Sequence, residues 1–261
     1  MLILLPPSEG KTAPARGRSL ELAALSFPEL TATRASVLDA VVRLAGSDPR
    51  RARAVLGLSE RQDHELVRDA GLRSAHCAPA AAVYTGVLYD ALGLSTLPPA
   101  AKRRASAVLV ISSALFGALR IRDQIPAYRL SGAVSLPGLG PVAALWRTAL
   151  PEAMTAAAGR GLIVDLRSST YAAMWHPTGD VATRTVTVRV LQQLPDGRRQ
   201  VVSHFNKATK GRLVRSLLVQ ASAPRDAPAF AALCESYGYV AELHPAEPGR
   251  PWRLDVVVTE V

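Results

Sequence analysis

Three short runs of apolar, β-prone residues constrain the fold of this chain more than any other feature of its sequence. They lie at residues 2–5, 107–111 and 162–166. Each run is continuous rather than alternating, which is typical of strands buried on both faces of a largely parallel sheet. Apolar residues at helical spacing occupy residues 28–73 and recur after Pro141. This pattern predicts an α/β fold in which helices surround the sheet.

The C-terminal half adds strands that favour a mixed sheet. Residues 185–191 and 199–205 flank a Leu-Pro-Asp-Gly-Arg turn at 194–198, which predicts a β-hairpin. Two further strands are expected at residues 239–243 and 253–258. Because the sequence contains no repeat, low-complexity tract or linker, we expect residues 1–261 to form one domain.

Composition excludes several classes of protein. No apolar run approaches the roughly 20 residues that a membrane-spanning helix needs, so we expect no membrane partner. The two cysteines, Cys77 and Cys234, are far apart and form no CxxC motif. A reduced, cytoplasmic protein is therefore expected rather than a disulfide framework. The sequence does not predict an oligomeric state.

Positive charge is concentrated in two parts of this basic protein, whose formal net charge is +10. Residues 91–150 contain 7 basic and 1 acidic residues, and residues 184–215 contain 8 and 1. Segregated positive charge is typical of surfaces that bind polyanions. The alternative is a solvated face of an arginine-rich protein.

Lysine is scarce in this arginine-rich chain. Of 31 basic residues only four are lysine: Lys11, Lys102, Lys207 and Lys210. Four lysines could remain in such a chain by chance alone. A site that needs a compact or titratable amine would also retain lysine, because the permanently charged guanidinium fork of arginine does not replace it. Lys11 and Ser8 lie in a polar loop directly after the first predicted strand, where α/β folds place ligands.

A glycine-containing turn at residues 136–144, Leu-Pro-Gly-Leu-Gly-Pro-Val-Ala-Ala, precedes a predicted helix. Gly138 and Gly140 allow a left-handed backbone and close approach of a phosphate, and the free amides at a helix start attract anions. The segment resembles the hairpin of helix-hairpin-helix DNA-binding modules. The alternative is an ordinary tight turn, and residues 131–135 make a poor first helix.

Two functional hypotheses follow from these residues. In the first, the protein binds duplex or structured DNA through its phosphates, by means of these residues: Arg120, Arg122, Arg129, Gly138, Gly140, Lys207, Lys210 and Arg215. In the second, it is an enzyme that acts on a small phosphorylated or nucleotide-like ligand, with these catalytic candidates: Lys11, Ser112, Asp123, Tyr128, Lys207 and Lys210. A desolvated lysine beside other cations can act as base or nucleophile. Convergence in one pocket would favour the enzyme, and an open face would favour DNA.

Metal and cofactor chemistry have little support in the sequence. The five histidines form no HExxH motif and no paired Cys/His spacing. We therefore expect no metal site and no cofactor.

The chain resembles the YaaA family of peroxide stress proteins in segments spread over its whole length. The resemblance rests on residues 1–12, Tyr-Thr-Gly at 84–86, residues 115–129, residues 166–171 and residues 205–215. It differs in the opening loop, where Pro-Pro-Ser-Glu-Gly-Lys replaces a shorter Ser-Pro-Ala-Lys of other members, so Lys11 transfers more safely than Ser8 or Glu9.

The resemblance implies a single α/β domain of YaaA type that contains a helix-hairpin-helix-like element. It also implies a cytoplasmic role in peroxide stress, duplex DNA binding, and a link to limiting the free iron that fuels peroxide damage. It does not lead us to expect that this chain chelates iron.

Overall fold

A mixed β-sheet forms the centre of the protein in the computed structural model, which describes residues 1–194, 196–201, 203–221 and 223–258, without the side chains of residues 203–205. The strands in these ranges are β1 (Leu2–Leu5), β2 (Ala78–Pro79), β3 (Leu109–Ser113), β4 (Gly117–Leu119), β5 (Gln124–Ile125), β6 (Ser135–Leu136), β7 (Gly140–Pro141), β8 (Ile163–Asp165), β9 (Thr185–Gln193), β10 (Arg199–Gln200), β11 (Val240–His244) and β12 (Trp252–Val258).

The main sheet has the order β11-β12-β9-β8-β1-β3-β4, and β10 pairs with β9. The five central strands, from β12 to β3, are parallel to one another. Strands β4, β10 and β11 pair antiparallel with β3, β9 and β12. The predicted α/β fold with a mixed sheet is therefore confirmed.

Helices pack around this sheet and supply most of the remaining regular structure. In the described ranges they are α1 (Thr31–Ala45), α2 (Pro49–Leu56), α3 (Asp63–Ala70), α4 (Ala80–Val83), α5 (Val87–Leu92), α6 (Pro99–Val108), α7 (Val142–Ala158), α8 (Ser169–Ala172), α9 (Gly179–Thr183), α10 (Ser203–Val219) and α11 (Ala227–Ser236), with short 3₁₀ turns at Leu22–Ala24, Pro28–Leu30, Glu60–Gln62 and Leu94–Thr96. No helix in the described ranges is long and apolar enough to cross a membrane.

All four side chains of β1 are buried, because this strand lies inside the sheet between β8 and β3. Successive side chains of a strand point to opposite faces, so both faces of β1 are covered. The loop after β1 and the loop after β8 leave the same edge, since these strands are parallel neighbours. Ligand sites of open α/β sheets lie at this carboxyl edge.

Two predicted strands end differently in the structure. Residues 107 and 108 belong to the end of α6, and β3 runs instead from Leu109 to Ser113. The strand expected at residues 199–205 ends at Gln200, and α10 begins at Ser203. Local β-propensity failed here because tertiary packing decides where a short apolar run ends. The predicted hairpin is present, although its Pro195 lies outside the described residues.

The glycine-containing turn is a β-hairpin formed by β6 and β7, and α7 follows it directly. Gly138 and Gly140 have φ angles of 78° and 83°, as their predicted left-handed role requires. Residues 126–134, all of which the structure describes, contain no helix. The helix-hairpin-helix element is therefore unconfirmed, since the structure has its hairpin and second helix without a helix immediately before them.

Candidate functional site

A pocket of about 610 Å³ opens at the carboxyl edge of β1 and β8. Its wall combines the loop after β1, the start of α5, the segment around Arg129, the loop after β8 and the start of α10. The lining residues are Pro6, Pro7, Ser8, Glu9, Gly10, Lys11, Thr85, Gly86, Val87, Leu88, Tyr89, Arg129, Leu130, Ser131, Leu166, Ser168, Thr170, Tyr171, Val201, Asn206, Lys207 and Lys210.

Lys11 enters the pocket from the loop after β1. An isolated bridge to Tyr84 fixes its backbone, and its Nζ donates to the carbonyl oxygen of Ser8 at 2.9 Å. The same nitrogen lies 4.2 Å from the centre of the Tyr128 ring and 5.6 Å from that of Tyr84. An ammonium over an aromatic face is stabilised by the ring quadrupole, so this position suits a cation.

Burial lowers the pKa of Lys11 to about 8, and the nearby Arg129 guanidinium lowers it further in the same direction, against the attraction of Asp69. Desolvation disfavours the charged amine because water no longer solvates it. At neutral pH a readily reached neutral fraction therefore exists beside a predominant cation. Such an amine can act as a proton donor, a base or a nucleophile.

Lys210 reaches the same pocket from α10 and is 7% exposed. Its Nζ donates to the carbonyl oxygen of Leu166 at 3.1 Å, which ties the helix to the loop after β8. Burial lowers the pKa of Lys210 to about 8, partly offset by the Asp165 carboxylate. Two desolvated amines thus line one cavity.

Arg129 completes the cationic wall together with the exposed Lys207. The Arg129 guanidinium lies 3.4 Å from a carboxylate oxygen of Glu9, a long contact to an exposed partner. Most of its donors are therefore available to a ligand. An arginine fork binds phosphate or carboxylate in bidentate geometry, so Arg129 can hold an anionic group in the pocket.

Asp69, at the end of α3, holds the backbone of Arg129 in place. Its Oδ1 accepts a hydrogen bond from the backbone N–H of Arg129 at 2.9 Å, while no described residue pairs with its buried Oδ2. Burial raises the pKa of Asp69 to about 7. The sequence did not single out this residue, because a carboxylate in an amphipathic helix carries no signal of its burial.

Sequence comparisons show which family this chain belongs to. The sequence profile described as Peroxide stress protein YaaA matches residues 1–242. The chain belongs to the YaaA family. It is 52% identical to a UPF0246 protein of Streptomyces coelicolor over the full length of both chains. A Corynebacterium efficiens relative is 48% identical over 87% of each chain, and one from Corynebacterium glutamicum is 41% identical over 94% of this chain and 96% of its own.

In this YaaA-family protein, Tyr128 lies beneath Lys11 in a buried chain of hydroxyl groups. The Tyr128 hydroxyl is 2.8 Å from that of Tyr84 and 2.7 Å from Ser113 Oγ. Burial raises the pKa of Tyr128 well above its usual value. The ring therefore serves as a neutral platform for the Lys11 ammonium.

Three catalytic candidates are not among the residues that line the pocket, namely Tyr128, which lies beneath Lys11, Ser112 and Asp123. Ser112 lies buried within β3. Asp123 accepts hydrogen bonds from the backbone and hydroxyl of Ser26 through Oδ1, and from the backbone N–H of Arg120 through Oδ2. Both of its oxygens are engaged in holding loops together, which is a structural task.

The remaining arginines of the predicted phosphate-binding set also lie outside the pocket. Arg120 donates to the carbonyl oxygen of Ala107 at 2.9 Å. Arg215 donates to the carbonyl oxygens of Leu92 and Gly93, each at 3.0 Å, and so caps α5. Arg122 is exposed. Sequence cannot separate an arginine that binds backbone carbonyls from one that faces a ligand.

The residues before and after the pocket-lining Leu166 form a buried ion pair with each other. Arg167 makes two hydrogen bonds to the Asp165 carboxylate, at 2.9 and 2.6 Å, and donates to the carbonyl oxygens of Tyr171 and Trp175. These bonds occupy four of the five N–H donors of Arg167, whereas the side-chain contact of Arg129 is to the exposed Glu9. Both members of the pair line a second cavity of about 560 Å³.

The part of the chain that the structure describes brings no three His, Cys, Asp or Glu residues together in a group that could hold a metal ion.

Proposed function

We propose that this YaaA-family peroxide stress protein is an enzyme that acts on a small phosphorylated or nucleotide-like molecule in the pocket around Lys11. One observation carries the proposal. The chain retains only four lysines, and three of them line this one cavity. Arginine-rich composition alone gives no reason for Lys11 to meet the distant Lys207 and Lys210 in space.

The charge of the pocket fits such a ligand. Four cationic side chains face it, namely Lys11, Arg129, Lys207 and Lys210, while Glu9 is the acidic residue among its lining side chains. Four cations close together are unfavourable without a counter-charge. A ligand with two or more negative charges, such as a phosphate monoester, would relieve this repulsion. The volume lies in the range of small-molecule sites.

Inorganic phosphate provides a direct test by isothermal titration calorimetry. Replacing Arg129 by Gln removes the forked donor, so we expect phosphate affinity to fall on the order of tenfold or more, as for loss of a charged hydrogen bond. The matched control is Arg122→Gln, which removes an exposed arginine outside the pocket and should bind phosphate as the parent does. Equal affinity in all three proteins would refute the proposal.

DNA binding is the second candidate function, and the β6–β7 hairpin favours it. Gly138 and Gly140 have open space where a Cβ would lie, so a phosphate backbone could approach their amides. The hairpin lies within residues 91–150, which carry a net charge of +6. Phosphate contacts would give little sequence preference and binding that weakens steeply with salt. Such a protein would shield DNA in the cytoplasm from iron-fuelled peroxide damage.

Glycine-to-alanine substitutions at 138 and 140 test this second function by electrophoretic mobility shift with duplex DNA. Alanine strains a left-handed backbone and obstructs approach, so we expect DNA affinity to fall while the protein stays folded. Gly57→Ala is the control, because Gly57 also has a positive φ of 67° and open space, at the end of α2. Parental affinity in the hairpin variant would remove the hairpin from any DNA-binding role.

A further inference from the structure

The amine of Lys210 differs from the other pocket lysines in its surroundings. Lys207 is exposed, and Lys11 Nζ has the Ser8 carbonyl oxygen and two aromatic faces around it, which favour an ammonium. Lys210 Nζ is buried and has one described hydrogen bond, to the neutral carbonyl oxygen of Leu166. When its amine is neutral, Lys210 can still donate to the Leu166 carbonyl oxygen, and its lone pair is free to react with a ligand.

Asn206 stands one helical turn before Lys210 on α10 and lines the same pocket. Residues four apart share a helix face, so the amide and the amine approach a ligand from the same side. The Asn206 Oδ1 is buried, and no described residue pairs with it. Its carboxamide can accept from a hydroxyl or donate to a carbonyl oxygen.

We propose that Lys210 forms an imine with the carbonyl carbon of an aldehyde or ketone that also carries a phosphate group. The assignment rests on the proposed function, since Arg129, Lys207 and the Lys11 ammonium would hold the phosphate. Asn206 would donate from Nδ2 to the carbonyl oxygen, and its Oδ1 would then accept from the hydroxyl group of the carbinolamine.

The step balances without a further reactant. The Nζ lone pair forms a bond to the carbonyl carbon, the π pair moves to oxygen, and a proton passes from nitrogen to that oxygen. The carbinolamine then loses its hydroxyl group and the second amine proton as water, which leaves a C=N bond. Amine and carbonyl thus give imine and water, and hydrolysis reverses the step. A low-pKa lysine is suited to this chemistry, and burial lowers the pKa of Lys210 to about 8.

Pyridoxal 5′-phosphate followed by sodium borohydride tests the assignment, because this probe is a phosphate-bearing aldehyde and borohydride fixes the imine as a stable amine. Peptide mapping by mass spectrometry is simple in a chain with four lysines, and the exposed Lys102 outside the pocket is an internal reference. We expect label mainly at Lys210, suppression by inorganic phosphate, and label on the order of tenfold weaker with pyridoxal, which lacks the phosphate.

Variants sharpen the same experiment. Lys210→Arg should lose the phosphate-suppressible label, and Lys102→Arg, which changes an exposed lysine outside the pocket, should retain it. Phosphate suppression in the parent protein needs no variant, so a folding defect in Lys210→Arg does not decide the matter. Label spread evenly over the lysines, label mainly at Lys11, or label at Lys210 that phosphate does not suppress would overturn the assignment. If calorimetry shows phosphate binding but Lys210 stays unlabelled, this inference fails while the proposed function stands.

Discussion

Lys11 and Arg129 show why the two kinds of cation are not interchangeable in this pocket. The lysine Nζ occupies a narrow position over the Tyr128 ring, 4.2 Å from its centre. The arginine fork has only a 3.4 Å contact to the exposed Glu9. A compact, titratable amine and a permanently charged planar donor supply different chemistry to one ligand.

The stability of the folded protein should depend on pH through Asp69. Its pKa in the folded protein is raised to about 7 from a usual 3.8, so the native state holds its proton more tightly than the unfolded state. This stabilisation is present below pH 4 and is lost as the pH rises through 7. Asp69→Asn keeps an oxygen for the Arg129 amide but cannot ionise.

We therefore expect the parent to lose stability relative to Asp69→Asn between about pH 4 and pH 7, by up to about 4 kcal/mol. Urea unfolding at a series of pH values measures the difference. A constant difference across this range would contradict the raised pKa of Asp69.

Helix α10 depends on close contact with α5 to place its lysines. At Gly211 a Cβ would lie 2.3 Å from the backbone oxygen of Leu88 and 2.8 Å from the Ala91 Cβ. Glycine therefore allows the two helices to approach. Lys207 and Lys210 lie within the turn before Gly211, and α5 contributes Leu88 to the pocket, so the same contact shapes the site.

Gly211→Ala should destabilise the protein despite the helix propensity of alanine, which alone would add about 1 kcal/mol. Overpacking against backbone costs roughly 1–3 kcal/mol or more, and α10 must move. We expect a lower thermal midpoint and weaker phosphate binding. Gly46→Ala, where the nearest atom to a Cβ is at 3.4 Å, should change neither. Parental behaviour of Gly211→Ala would mean that α10 does not depend on this contact.

The sheet elements were the most predictable from sequence. The runs that became β1 and β8 are buried throughout, so hydrophobicity alone identifies them. The boundary between β10 and α10 was missed because the polar residues near 200 fit either state. The scarcity of lysine indicates Lys11, Lys207 and Lys210 as candidate site residues. Nothing in the sequence indicates Asp69, because its role depends on a contact with Arg129, which is 60 positions away.

The fold brings the two basic parts of the chain together. Residues 91–150 contribute Arg129 to the pocket, and residues 184–215 contribute Lys207 and Lys210. Other cations of these parts are used elsewhere, as Arg120 and Arg215 bind backbone carbonyl oxygens. The net charge of +10 is thus partly structural and partly directed at one cavity.

The central claim is that two desolvated lysines face one anion-binding pocket, and carbon-13 NMR of the lysine Cε groups tests it most directly. The protein has four lysines, and Lys11→Arg and Lys210→Arg assign the two signals of interest. We predict that both titrate near pH 8 and that inorganic phosphate raises both pKa values, because a nearby anion favours the ammonium. Titration of both at the usual lysine value of about 10.4, unchanged by phosphate, would contradict the claim.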